Sequence, residues 1–303
     1  MPSGRNAAYA IGVRTRPTLT WEPTGEVFPR TTSLDAMVDL VAGRGVVVLS
    51  GAGLSTESGI PDYRGASGAL RKHTPMTYEV FAGSAQARQR YWARSHLGWR
   101  TITGAAPNAG HRAVAALQHA GLLAGVVTQN VDGLHQAAGA RDVIELHGGL
   151  DRVVCLHCGL ITPRTELDLR LVEANPFFAA VAAAINPDGD SELPVEAVRS
   201  FRTVGCRACD GVLKPDVVFF GETVPRERVQ ACFGLVEGAR ALVVLGSSLS
   251  VMSGRRFVLR AAKVGVPVAI VNQGPTRGDD HAVVRVDAPL GAALTDLAGV
   301  LTR

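Results

Sequence analysis

The chain has 303 residues, 47% of them hydrophobic and 19% charged, a length that suggests about two domains and a composition that excludes global disorder. Its net charge is +4, and only Lys72, Lys214 and Lys263 are lysines, so the other 28 basic residues are arginines. They form no clustered run of the kind that marks a nucleic-acid or lipid surface. The longest strongly apolar stretch, residues 177–185, has nine residues, where a membrane-spanning helix needs about 18 to 20.

Residues 1–32 read as an N-terminal extension. Residues 1–21 carry arginines and no acid, a transit-peptide trait, but Pro2 and Pro17 interrupt any amphipathic helix and a secretory apolar core is missing. Periodic sequence starts at Ser33, a candidate N-cap, with Leu34, Met37, Val38 and Val41 at helical spacing. Gly45-Val46-Val47-Val48-Leu49 then reads as a buried strand closed by Ser50-Gly51. Residues 63–105, polar and Arg-rich with Trp92 and Trp99, read as a helical insertion. The same grammar recurs downstream. Apolar runs over 125–128, 143–146, 217–220, 241–245 and 266–271 alternate with helical patterns such as 111–120, 226–238 and 253–264. Short runs that are apolar throughout, alternating with helices, predict an α/β fold: a doubly wound, Rossmann-like parallel sheet covered on both faces. Residues 33–150 and 216–303 are expected to form it. Residues 151–215 break the alternation and read as a separate small module.

Six times a small or polar cluster follows an apolar run directly, at the expected carboxyl end of a strand. They are Ser50-Gly51, Gln129-Asn130-Val131-Asp132, His147-Gly148-Gly149, Gly221-Glu222, Gly246-Ser247-Ser248 and Asn272-Gln273-Gly274. In an open α/β sheet that edge is where ligands bind, so a shared crevice is the leading expectation. Within the first cluster, Gly51-Ala52-Gly53 opens a turn that leads toward a helix N-terminus, where backbone N–H groups can meet a pyrophosphate. Thr56 stands where the dinucleotide fingerprint wants glycine, and a plain strand–helix turn is the alternative. Asp62 and Arg64 suit ligand contact or a surface ion pair. Four of the five cysteines form two pairs, Cys155/Cys158 and Cys206/Cys209, separated by 47 residues. Two such knuckles complete a tetrahedral thiolate site for a structural zinc ion and point to a reducing compartment. His157 lies inside a knuckle but is not needed as a ligand, and Cys232 reads as a small buried residue on a helix. His147 is either a polar loop residue or a group able to accept a proton near neutral pH.

Taken in order, these segments resemble the sirtuins, the NAD-dependent protein deacylases. Gly51-Ala52-Gly53-Leu54-Ser55-Thr56-Glu57-Ser58-Gly59-Ile60-Pro61-Asp62-Tyr63-Arg64 is similar to their signature. So are Gln129-Asn130-Val131-Asp132-Gly133-Leu134-His135, Glu145-Leu146-His147-Gly148, and Lys214-Pro215-Asp216-Val217-Val218-Phe219-Phe220-Gly221-Glu222 to later motifs. The resemblance covers about residues 33–300. Tyr63, the stretch 86–94 and Gly274-Pro275-Thr276-Arg277 are most similar to the class II branch, which is mitochondrial and bacterial and linked to lipoamide and other acyl removal and to ADP-ribosyl transfer.

The resemblance implies that NAD+ is bound by Gly51, Ala52, Gly53, Ser55, Thr56, Ile60, Asp62, Tyr63, Arg64, Gln129, Asn130, Asp132, Gly246, Ser247, Ser248, Asn272, Gln273 and Gly274. It implies that His147 is the general base, with Asn130 and Asp132 shaping the nicotinamide pocket. An acyl-lysine protein or peptide would add as a strand against Val217, Val218, Phe219, Phe220, Gly221 and Glu222. Tyr91 and Arg94, three apart on an expected helix, could meet an acidic acyl group, or be a packed Tyr beside a solvated Arg. The products would be nicotinamide, O-acyl-ADP-ribose and free lysine. The alternatives are ADP-ribosyl transfer on the same scaffold and a catalytically weak NAD sensor. A monomer is expected, with no nucleic-acid or membrane partner, in the cytoplasm of a bacterium or an organellar matrix of a eukaryote.

Overall fold

A computed structural model describes residues 34–63, 75–178, 193 and 195–303. The Ser33 cap, Arg64, the 1–32 extension and residues 179–185 of the apolar stretch lie outside the described residues. In chain order the strands are β1 (Val46–Ser50), β2 (Leu123–Thr128), β3 (Val143–Glu145), β4 (Gly148–Cys155) and β5 (Ile161–Pro163). They continue as β6 (Leu213–Val217), β7 (Ala241–Leu245), β8 (Val268–Val271) and β9 (Ala282–Val286).

Six of them form a parallel sheet in the order β3-β2-β1-β7-β8-β9. Its inner strands β2, β1, β7 and β8 are mainly apolar because both faces are covered. From β1, Val46 and Val48 point into a core built with α1 (Asp35–Ala42), α4 (Ala109–His119) and α10 (Leu290–Leu301). Val47 and Leu49 point to the other side, into a core built with α8 (Arg226–Glu237) and α9 (Met252–Val264). Full burial of each such side chain contributes about 1.5–3 kcal/mol before the entropy of ordering the chain is counted. The strand order reverses between β1 and β7, so the ends of these two strands, Ser50 and Leu245, open side by side at the topological switch point.

The remaining strands form an antiparallel sheet, β5-β4-β6. This corrects two expectations. The apolar run 217–220 is not a strand of the parallel sheet; Val217 ends β6 in the small sheet, and the chain beyond it runs as a loop. The small sheet also reaches past both ends of the expected 151–215 module, from Gly148 to Val217. Nor do the helical insertion and that module stand apart. Helices α2 (Tyr78–Gly83) and α3 (Ala85–Gly104) share one core with the small sheet, α6 (Arg164–Ala174) and α7 (Val195–Ser200). Phe81, Tyr91 and Trp92 from the insertion meet Val153, Leu167, Leu171 and Phe201 there. Trp92 Nε1 donates to the Leu213 carbonyl of β6 (3.2 Å), and the fully buried Arg164 guanidinium lies over the rings of Trp92 (5.3 Å) and Trp99 (4.6 Å).

A short helix, α5 (Leu134–Ala137), follows β2. Strand β9 and helix α10 complete the parallel layer, and the sequence reading had singled out neither. No helix among the described residues is long and apolar enough to cross a membrane.

Candidate active site

The first strand end does not lead into an α-helix. After Ser50 the chain makes two short 3-10 turns, Ala52–Leu54 and Thr56–Ser58, closed by Gly59 in the left-handed region (φ 83°). Gly51 and Gly53 are required by the neighbouring strand end as well as by any ligand. A side chain on Gly53 would lie 2.9 Å from the Gly246 carbonyl, and one on Gly51 2.7 Å from Ser247 Cβ. Gly51 N–H and Gly53 N–H donate across the switch point to the carbonyls of Leu245 and Gly246, each at 2.9 Å.

The second strand end reaches into this turn. Ser55 Oγ donates to Asp132 Oδ2 (2.6 Å). Asn130 Nδ2 donates to Ser55 Oγ (3.0 Å) and the Gly51 carbonyl (3.1 Å), and its own N–H is held by Thr128 Oγ1 (3.1 Å). Asp132 Oδ1 accepts the Leu134 N–H at the start of α5 (3.0 Å). Gln129 Nε2 donates to Ser247 Oγ (2.9 Å) and the Ser50 carbonyl (3.2 Å). Ser55, Asn130, Asp132, Gln129 and Ser247 thus form one hydrogen-bonded cluster across β1, β2 and β7. Ile60 is buried beside it, and Tyr63 places its ring edge-on to Phe220 at 5.9 Å.

His147 stands two residues after β3. Its Nδ1 lies 2.8 Å from the Gln129 carbonyl, which can only accept, so Nδ1 carries the proton. Nε2 then holds a lone pair, and Ser253 Oγ, 2.9 Å away at the start of α9, donates to it. Burial of the ring pushes the imidazole down to about 4. The Gln129 carbonyl works against that shift, and the Arg228 and Arg256 charges add to it. His147 is therefore neutral at physiological pH. Gly148 next to it has φ 83°, and a side chain there would lie 1.9 Å from the Asp216 carbonyl, so only glycine lets β4 start there.

The segment that follows β6 is anchored to this histidine: Val218 N–H donates to the His147 carbonyl (2.8 Å). Glu222 folds the loop back, accepting the Phe219 N–H (2.8 Å) and the buried Lys214 ammonium (3.1 Å), which also sits over the Phe219 ring. Phe220 O accepts the Tyr78 N–H of α2 (2.9 Å). Of the two candidate acyl contacts, Tyr91 faces the interior. It is buried among Phe81, Trp92 and Phe219, all at ring distances of 5.3–5.4 Å, and Arg94 is half-buried.

At the end of β8, Asn272 Nδ2 donates to the carbonyls of Gln273 and Gly274, each at 2.9 Å. The loop is tied down by Arg285 on β9, which donates to the carbonyls of Asn272 (2.9 Å), Val286 (2.7 Å) and Gly274 and pairs with Asp279 (3.1 Å). Thr276 completes the lock, its hydroxyl donating to Asp279 Oδ1 (2.6 Å).

Arg285, Ser253 and Glu57 were missed from the sequence. Glu57 accepts the Gly291 N–H at the first turn of α10 (2.9 Å), so the switch-point turn is fastened to the last helix. The partners of Ser253 and Glu57 lie 106 and 234 residues away, so no local pattern announces them. Arg285 bonds within 13 residues, but its role depends on how the 272–279 loop folds back beside β9.

Far from this crevice, the four cysteine sulfurs all lie within 4.8 Å of one another, with Cys155–Cys209 at 3.6 Å and Cys158–Cys206 at 3.7 Å. A disulfide would need about 2.0 Å. A tetrahedral zinc ion with bonds of about 2.3 Å needs sulfurs about 3.8 Å apart, which this cage matches. Gly211 leaves no room for a side chain against Cys155 and Cys209. His157 is exposed outside the cluster, and Cys232 is fully buried on α8.

The Sir2 family model matches residues 51–253. The chain belongs to the Sir2 family. It is 63% identical over 286 residues to NAD-dependent protein deacetylase 1 of Streptomyces coelicolor, covering 94% of this chain and 96% of the relative. It is 50% identical to NAD-dependent protein deacetylase 1 of Mycobacterium avium, covering 88% and 95%. Among solved structures, a Sir2 described with a p53 peptide and NAD+ superposes with a TM-score of 0.69 at 28% identity, covering 89% of this chain and 97% of that one. A second, described as a structural basis for the mechanism and regulation of Sir2 enzymes, matches with a TM-score of 0.69 at 30% identity, covering 88% and 97%.

Proposed function

We propose that this Sir2 chain is an NAD+-dependent protein-lysine deacylase that releases nicotinamide, O-acyl-ADP-ribose and the free lysine. The observation that carries the reading is a neutral imidazole with its lone pair on Nε2, at the same crevice edge as the Ser55–Asn130–Asp132 cluster. Deacetylase relatives that match along nearly the whole chain support it.

In this reading NAD+ is a co-substrate that lies across the switch point. Its pyrophosphate sits over the 51–56 turn, its adenosine end near Ser247, Ser248, Asn272, Gln273 and Gly274, and its nicotinamide against Ile60, Asp62, Asn130 and Asp132. The crevice groups follow the ends of four strands, β1, β2, β7 and β8, so they stay fixed while charge develops at the ribose. The acyl carbonyl oxygen attacks the anomeric carbon as nicotinamide leaves. His147 Nε2, once Ser253 turns away, takes the proton of a ribose hydroxyl, which then attacks the former carbonyl carbon. Water completes the release of the lysine and of O-acyl-ADP-ribose.

The acylated peptide adds as an extended strand beside 217–222, a mode in which main-chain bonds supply affinity with little demand on sequence. Phe219 lines the way in for the acyl chain, with Tyr91 as the apolar wall behind it. Cys155, Cys158, Cys206 and Cys209 hold one structural zinc ion; four protein ligands leave it no open position for water.

Product mass spectrometry tests the reading. The protein is mixed with NAD+ and lysine peptides bearing acetyl, succinyl, glutaryl, hydroxymethylglutaryl, lipoyl and long-chain groups. Nicotinamide together with a matching O-acyl-ADP-ribose is expected, and the best peptide names the acyl class. Nicotinamide without deacylated peptide would redirect the assignment to ADP-ribosyl transfer.

A further inference from the structure

Behind the Asn130–Asp132 cluster lie two histidines with no part in the proposed chemistry. His111, on α4, and His135, on α5, are fully buried, and their rings meet edge to face with centroids 5.2 Å apart. Their bonded nitrogens fix their tautomers. His111 Nδ1 accepts the Asn108 N–H (3.4 Å) in the capping box of α4, so its proton is on Nε2. His135 Nε2 lies 2.8 Å from Ser50 Oγ. The Ser50 hydroxyl donates its own proton to Thr128 Oγ1 (2.8 Å), so the His135 proton is on Nε2.

Each ring therefore has one nitrogen with no partner among the described residues, and the two are of opposite kind. His111 Nε2 is a donor and His135 Nδ1 an acceptor. Leaving both unsatisfied in a dry site would carry the full desolvation penalty of two buried polar atoms. A donor and an acceptor on touching rings satisfy one another through a single enclosed water or a small ring tilt.

Both ends of this pair lead to the crevice. Ser50 ends β1 and Thr128 ends β2, and Thr128 Oγ1 also holds the Asn130 N–H. At the other end Asn108 Nδ2 donates to the Leu54 carbonyl (2.7 Å) in the 52–54 turn. We infer that His111 and His135 form a tautomer-fixed, hydrogen-bonded pair that positions Asn130 and the 51–55 turn relative to each other, making both histidines positioning residues for NAD+. The pair rests on the site assigned above but not on the reaction that follows binding. Burial supports a lasting neutral pair, since it lowers His111 below its ordinary range and pushes His135 down to about 3.

Two measurements test this on the full-length protein. Long-range proton–nitrogen NMR of histidine-labelled protein at pH 7 should give a protonated Nε2 and a bare Nδ1 on both rings. An Nδ1–H tautomer or an imidazolium on either ring overturns the pairing. The second measurement is NAD+ binding by calorimetry for His135→Leu and His135→Gln. The glutamine amide can still donate to Ser50, and the leucine cannot. His135→Leu should weaken NAD+ binding about three- to ten-fold, the value of one buried hydrogen bond, and His135→Gln should recover most of it. Unchanged NAD+ affinity in a folded His135→Leu, or equal losses in both variants, would leave the histidines with a merely structural role and overturn the inference. If His135→Leu fails to fold, the tautomers of the unaltered protein still decide the pairing. A protein that binds NAD+ but deacylates nothing would overturn the proposed function and leave this inference standing.

Discussion

His147 is held by two hydrogen bonds with opposite effects on its titration. The Gln129 carbonyl favours its protonated form, and the Ser253 hydroxyl favours its neutral form by donating to the lone pair. The net position, about 4, is set by burial. In the proposed reaction the neutral form is the active one, so activity governed by this group should be flat from about pH 5 to pH 8 and fall only as pH approaches 4. The acid limb of kcat/KM against pH checks this; a limb near 6.5 would mean an unburied histidine. Ser253→Ala removes the bond that favours the neutral form, so the limb should move up by about 0.5–1 pH unit while the fold is kept. His147→Ala should retain NAD+ binding and lose at least about a hundred-fold in kcat. Its residue type and its place after an apolar run were legible in the sequence. Ser253, 106 residues away, was not, because only the packing of α9 against Gln129 brings it there.

At the scale of elements, the insertion and the zinc module hold each other through Arg164, whose side chain is 1% exposed between Trp92 and Trp99 and 3.6 Å from Asp168. Arg164→Ala would leave the half-buried Asp168 with His96 (2.8 Å) and the exposed Arg100 (3.3 Å) as its remaining partners. A loss of about 2–5 kcal/mol in urea unfolding is expected, chiefly from the space emptied between the two indole rings, with a change in tryptophan fluorescence. A loss under about 1 kcal/mol would show that the two elements dock without it.

The inner strands of the parallel layer were readable because burial on both faces forces runs of Val, Leu and Ile, whereas β9, at the edge and carrying Arg285, was not. The same rule misled at Val217-Val218-Phe219-Phe220. That run is apolar because it packs between the small sheet and the Tyr78 end of α2, and periodicity does not distinguish that burial from a sheet interior. The glycine turn misled in a similar way. Gly51 and Gly53 answer to the Gly246–Ser247 backbone opposite them, which no local pattern reveals.

For the whole molecule, the four-cysteine cage supports the layer that carries Val217 and Phe219. Cys206→Ser should release the zinc ion, measured by atomic absorption, and lower the Tm. Weaker peptide binding should accompany it, because β6 leads directly into the 218–222 loop. A zinc-replete variant of full stability would refute the four-thiolate site.

The switch point has a further consequence for the chain as it is being made. Strand β1 is central, and its neighbour on one side, β7, begins at Ala241, far along the chain from Ser50. At a synthesis rate of about 5–20 residues per second, β1 waits about 10 to 40 s with one edge unpaired. During that interval β1, β2 and β3 present a bare row of backbone donors and acceptors flanked by valines, the kind of edge that recruits other chains. The cysteine module and the insertion emerge within the same interval, and their local antiparallel pairing can close first. Arrested nascent chains ending at about residue 240 should therefore resist protease over 148–178 and 195–217 yet aggregate or hold a chaperone through β1. Chains extended past β9 should do neither. The arrangement that opens the switch-point crevice at maturity is, on the ribosome, a prolonged exposure to misassembly.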